Sequence, residues 1–299
     1  MSSRRKILFG VLGFYALSLI AIFLIFGFTR RDNEEFQPQN EFKLDTWVNL
    51  PGPFDINKAV MYLVIAGILT CVTMIWIARR MQARPNRVQT AVEVMFSLMR
   101  DNITRGNLDD RMARKYFPFI GALFLFIWFS NLIGYIPLPT NTHEKIDIAG
   151  FEIPAFAIYA ATANLSVPLV LALIVFVTYN VEGIRTKGVG GYLKSLIPAG
   201  VTGGMAVFIF ILEFLSNFMR LISLSVRLFA NILAGHLIIL FMSGGLAVLL
   251  GLEVLGWITL PLGVILFLFE VGLVATLQAF IFATLTSIYF GEATSLEGH

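Results

Sequence analysis

Cysteine is nearly absent from this chain: Cys71 stands alone inside an apolar run. One thiol excludes a disulfide framework and a thiolate metal site. Charge is scarce as well. Asp, Glu, Lys and Arg make up 14% of the 299 residues, against roughly a quarter in soluble domains. A net charge of +3 is too small to suggest a nucleic-acid surface. No nucleotide loop, metal-ligand cluster, nucleophile constellation, internal repeat or low-complexity segment stands out, so neither a cofactor nor catalysis by the chain itself is expected. What fills the sequence instead is apolar material, 57% of residues with a mean hydropathy of +0.80. It comes in runs too long for ordinary core helices, which defines an integral membrane protein.

Six apolar blocks are expected to span the membrane: about 7–28, 60–77, 117–136, 155–179, 201–242 and 254–289. The first follows Arg4, Arg5 and Lys6 but is longer than a signal-peptide core and lacks a small-residue cleavage site before Arg30, so a retained anchor is expected. Nine basic residues lie between Arg79 and Lys115, and Arg185, Lys187 and Lys194 follow the fourth block, whereas 138–154 holds only Lys145 among three acids. The positive-inside rule then puts both termini and the 79–115 and 181–200 loops in the cytoplasm. Arg30 and Arg31 are a mild violation on the outer side. Residues 88–104 carry Val88, Val92, Met95, Phe96 and Met99 at helical spacing, which predicts a short amphipathic helix lying on the membrane or against a partner.

The last two blocks are too long for simple spans. About 20 residues cross the hydrocarbon, yet 201–242 would make about 63 Å of helix at a rise of 1.5 Å per residue. Turn residues lie at its ends, with only Gly235, flanked by Ala and His, between them, so a hairpin of two overlong, steeply tilted helices is expected, turning near 243–253. Glu213, Arg220 and Arg227 are spaced seven and seven, which places them on one face. Ser216, Asn217, Ser223 and Asn231 extend that polar stripe over some five turns. Ionisable groups at membrane depth cost several kcal/mol and normally face a pathway or a partner. Arg220 reads as a structural ion pair with Glu213 or Asn217. Arg227 has no acid three or four residues away. His236 lies nine residues beyond, roughly half a turn round, and reads either as a packing histidine or as part of a pathway. Gln278 and Thr276 could serve as helix-to-helix glue. Glu253 reads as turn, Glu292 and Glu297 as tail.

The stretches SLSVRLFANILAGHL (223–237) and LQAFIFATLTSIYF (277–290) resemble subunit a of F-type ATP synthases, the membrane stator of the proton motor. FIWFSNLIGYIP (126–137) and KGVGGYLKSL (187–196) add to the resemblance, which covers about 57–299. It implies a five-helix core over 57–299 that includes the amphipathic helix near 88–104; the anchor expected at 7–28 and the external loop, together 1–56, lie outside it. It also implies a ring of c subunits as partner, with a peripheral stalk of subunit b, and two aqueous half-channels reaching the ring carboxylate from opposite sides. Arg227 matches the family's essential arginine, which separates the half-channels. Glu213 matches a half-channel glutamate, Ser223 and Asn231 match polar positions beside the arginine, and His236 matches a position of the outer half-channel. Gln278 matches the last-helix glutamine that faces the arginine, and Asn131 a polar position of the second core span.

Two positions depart from the pattern. Glu270 stands eight residues before Gln278 where the family has its acid or histidine seven before, a difference of about 100° of rotation. Asn164 stands where an aspartate is usual; an amide can hold water but not relay a proton as a carboxylate does. The competing expectation is a stand-alone proton-coupled transporter or channel, although no inverted repeat is visible. Copurification with a small two-span, glycine-rich c protein separates the two. The untargeted N-terminus favours a bacterial plasma membrane over an organelle.

Overall fold

The structure is a computed structural model that describes residues 46–48, 56–80, 87–148, 151–197, 201–242 and 253–295. The expected first span over 7–28 and the turn near 243–253 fall outside them, apart from Glu253. The described elements are β1 (Thr46–Val48), β2 (Ile56–Asn57), α1 (Lys58–Arg80), α2 (Arg87–Ser97), α3 (Asp110–Ile133), β3 (Leu138–Ile148), β4 (Phe151–Ala157), α4 (Ser166–Ser195), α5 (Gly204–Leu240), α6 (Glu253–Phe269) and α7 (Ala275–Thr294). Five helical stretches among the described residues are long and apolar enough to cross a membrane: 58–79, 110–133, 166–195, 204–240 and 259–294. Each overlaps one expected block. Two short antiparallel strand pairs, β1 with β2 and β3 with β4, accompany these helices.

The fourth span begins later than its apolar run suggests. Residues up to Ala157 belong to β4, in which Pro154 pairs with Lys145 of β3. A 3-10 turn, Ala161–Ala163, follows, and α4 starts only at Ser166. Pro168 accounts for that start, because proline fits the first turn of a helix but not its interior. At the other end α4 absorbs much of the expected 181–200 loop. It breaks at Gly188, whose φ of 73° is open to glycine at little cost. The break folds the chain back: Tyr192 Oη donates to Asn180 Oδ1 at 2.7 Å, whereas a straight helix would hold these residues about 18 Å apart. The ring rests where Gly183 has no side chain.

The described residues form two compact units, one of 46–233 with 274–295, the other of 234–242 with 253–273. In the first, α3 packs against α1 and α7, and α4 packs against α7. Ala275, Ala279, Ala283, Ser287 and Gly291 recur every fourth residue of α7, so one narrow face lets neighbours come close. Ser287 Oγ donates to the Ile103 carbonyl at 2.9 Å, and a methyl on Gly291 would strike the Asn107 carbonyl. The core around that face includes Ile120, Ile127, Leu228, Ile232 and Phe290, each at most 1% exposed. A smaller cluster gathers Tyr62, Ala66, Ile133 and Tyr159.

The amphipathic helix expected over 88–104 is α2 continued by a π-helical turn, Leu98–Thr104. In that turn Arg100 donates to Asp101, holding the carboxyl below the usual carboxylate range.

Candidate functional site

The polar stripe runs along an unbroken helix. α5 has 37 residues, about 55 Å at 1.5 Å each, and passes through Gly235 without interruption. Little of it is covered, since only 6% of its most apolar window is buried. Ser223, Arg227 and Asn231 are exposed, stacked at four-residue steps, among exposed apolar side chains such as Val226 and Ile222. Among the described residues Arg227 has no ion-pair partner. His236, half a turn away on the same helix, is only 4% exposed, as its phase requires.

One end of the stripe borders a cavity of about 400 Å³ lined by Glu213, Asn217, Arg220, Tyr179, Tyr192, Tyr289 and Glu292, among others. Asn217 is bonded on both sides of its amide. Tyr179 Oη donates to its Oδ1 at 2.5 Å, and its Nδ2 donates to Asn180 Oδ1 at 3.0 Å. Tyr192 donates to the same Asn180 oxygen. The expectation for Arg220 is corrected here. It is a structural ion pair, but its partner is Glu292 rather than Glu213 or Asn217. The Arg220 guanidinium also lies over the Tyr289 ring, 5.1 Å from its centroid. Glu292 is therefore part of the cavity wall, although the sequence reading made it tail. Its signal was present: it lies fourteen residues after Gln278, the same two-times-seven spacing that links Glu213 to Arg227.

The polar residues of the other helices divide by role. Asn131 is fully buried, accepts a bond from Thr162 Oγ1 at 2.8 Å and donates to the Ala275 carbonyl at 3.3 Å. It ties α3, the 3-10 turn and α7 together. Trp128 Nε1 adds a second tie between the same two helices through Thr276 Oγ1, at 3.0 Å, which bears out the glue reading of Thr276. Gln278 is buried on α7, 5% exposed, beside Ala275 and Ala279; no described hydrogen bond joins it to Arg227. Asn164 accepts the Ser166 amide at 3.0 Å and so serves the first turn of α4. A buried acid went unread: Glu182, 4% exposed, pairs with Lys115 of α3.

In the second unit Glu270 is 8% exposed and opens a π-helical turn, Glu270–Val274. A π turn takes up one residue more than an α turn, and one residue is the excess in the spacing from Glu270 to Gln278. The Glu270 carboxyl rests directly on Gly235, the residue before His236, so a Cβ there would collide with it. No cluster of three or more His, Cys, Asp or Glu suited to a metal occurs among the described residues.

Together these features define a class: a multi-pass helical membrane protein whose longest helix turns a polar, arginine-bearing face outward. Comparison with known proteins narrows the class to a family. The family model for the ATP synthase A chain matches residues 60–291. ATP synthase subunit a of Rubrobacter xylanophilus is 35% identical over 244 residues, 81% of this chain and 85% of that one. The subunit a of Helicobacter pylori strain Shi470 is 35% identical over 239 residues, 80% and 90% of the two chains. That of Helicobacter acinonychis is 34% identical over the same length. The chain belongs to the ATP synthase A chain family.

Proposed function

We propose that this chain is the proton-conducting stator subunit of an F-type ATP synthase. It carries protons to and from a carboxylate on a rotating c-ring through two offset half-channels, and leaves the chemistry of ATP to other subunits. Arg227 separates the half-channels. It attracts each deprotonated ring carboxylate as it passes, and it relays no proton because a guanidinium stays charged in a protein. Ser223, Asn231 and Gln278 shape the polar surroundings of that contact. Glu213, with the cavity that it and Asn217 border, forms the cytoplasmic half-channel. His236 and Glu270 form the outer one, an imidazole and a carboxyl being side chains that can take up and release a proton.

The observation that carries this reading is the exposure of Arg227 with no acid paired to it among the described residues, in mid-helix and among apolar side chains. A lone arginine facing lipid at mid-depth costs about 2.5–3.5 kcal/mol or more. A carboxylate on a partner surface offsets that cost. In this reading α5 and the helix over 259–294 form a tilted hairpin against the ring, since each exceeds the length of a perpendicular span. Residues 7–28 supply a sixth span, subunit b packs on the core, and both termini face the cytoplasm of a bacterial plasma membrane.

The test is ATP-driven acidification of vesicles holding the whole complex, wild type against Arg227→Ala, with passive proton leak recorded alongside. The expected result is loss of pumping in an assembled complex, with a rise in leak. Pumping that persists would overturn the assignment and reopen the stand-alone transporter reading.

A further inference from the structure

Outside the stripe, a second cavity of about 530 Å³ lies between α1, α2 and α3. Its wall is apolar: Met74, Ile77, Met95, Phe96, Phe117 and Trp128 are among the lining residues. On α3 the lining residues Pro118, Gly121, Leu125 and Trp128 follow at steps of three and four, which is one helix face. From Phe117 to Trp128 that face runs about 16 Å. Continued one turn toward the helix start, the same face reaches Arg114 and then Arg111. There a separate cavity of about 580 Å³ is lined by Asp110, Arg111, Arg114 and Lys115. An apolar slot therefore leads along one helix face to a cationic mouth.

The charges around that mouth are not equivalent. Arg100 and Arg105 are both engaged by Asp101, and Lys115 is held by Glu182. Asp110 is partly offset by Arg105, 3.9 Å away. Arg111 and Arg114 are exposed and have no ion pair among the described residues. Two uncommitted guanidinium groups beside an apolar slot match an amphiphile with an anionic head. Guanidinium binds phosphate in a bidentate manner, and basic pockets between membrane helices favour anionic headgroups.

We propose that the groove between α1, α2 and α3 binds an anionic phospholipid, one acyl chain lying in the slot and the phosphate held by Arg111 and Arg114. A zwitterionic lipid would bring its own cation to the same mouth and gain less. A protein segment in the slot is the competing occupant, which labelling of the groove peptides distinguishes.

The experiment uses the assembled complex in vesicles doped with photoactivatable lipids, phosphatidylglycerol and phosphatidylcholine carrying the same diazirine-tipped chain. Cross-linked peptides are mapped by mass spectrometry. Adducts are expected on 92–99 and 117–128, with phosphatidylglycerol favoured by about fivefold or more, the factor that one arginine near an anionic headgroup supplies. Arg111→Gln with Arg114→Gln should bring the ratio close to one while adducts from both lipids remain. Arg105→Gln, which removes an engaged cation, should leave the ratio unchanged. Met95→Trp, which fills the slot, should remove adducts from both lipids. The proposal is overturned by equal labelling from the two lipids in the wild type. It is also overturned if the groove peptides take no label, since a protein segment would then occupy the slot.

Discussion

Replacing Gly235 with alanine separates the position of a carboxylate from the stability of the fold. The added methyl would sit within collision distance of three atoms of Glu270, all at the far end of its side chain. None of these three nearest atoms is backbone. The carboxyl can swing aside by on the order of 1 Å to reach van der Waals distance, at a rotamer cost of about 0.5–1.5 kcal/mol. Against this, alanine gains up to about 1 kcal/mol over glycine inside a helix. The two nearly cancel, so the thermal midpoint of the complex should stay within a few degrees of wild type. Proton pumping should fall severalfold, because Glu270 no longer lies beside the turn that carries His236. Glu270→Asp in the same chain shortens the side chain by one methylene and should recover part of the rate. The assays are ATP-driven acidification and thermal release of the subunit from the purified complex. A variant that pumps at the wild-type rate would show that Glu270 takes no part in proton transfer. A variant that loses stability and pumping together would refute the claim that the collision is cheap to relieve.

Two other perturbations follow from the site. Asn131→Ala removes the partner of the buried Thr162 hydroxyl, whose orphaning costs about 1–3 kcal/mol, and also the added bond to the Ala275 carbonyl. The complex should lose the subunit at a clearly lower temperature, whereas Thr162→Val should cost about half as much. For Arg220 and Glu292, side chains 28% and 42% exposed, a double-mutant cycle to glutamine should give a coupling of only about 0.5–1 kcal/mol, because solvent screens a half-exposed pair. Arg220→Gln should cost more than Glu292→Gln, since it also gives up the contact with Tyr289, worth about 0.5–1 kcal/mol. Both are read from the denaturation midpoint of the assembled complex.

The spans were legible because hydrocarbon demands long apolar runs, and hydropathy measures little else. Their ends were less so. The run at 155–165 is as apolar as a helix, but Pro154 belongs to a strand and Pro168 to a first helical turn; hydropathy is blind to both. The polar stripe of α5 was legible because helical phase alone puts Glu213, Arg220 and Arg227 together. Partner choice was not. Arg220 meets Glu292 across 72 residues of chain, and only packing against α7 decides that. Glu182 reads as loop for the same kind of reason: the helix that carries it runs on through a segment rich in glycine and lysine. The extra residue before Gln278 looked like a defect of spacing because a π turn has no distinctive composition.

The uncovered face of α5 bears on how the cell must make this protein. A chain inserted without its partner would hold Arg227 toward lipid, together with a row of large side chains that no described residue covers. Its folded state is then a property of the assembly, and its apparent stability rises and falls with the concentration of whatever it docks on. Synthesis in excess of that partner would leave orphan copies for membrane proteases to remove, so the supply of the two proteins has to be matched before either is of use.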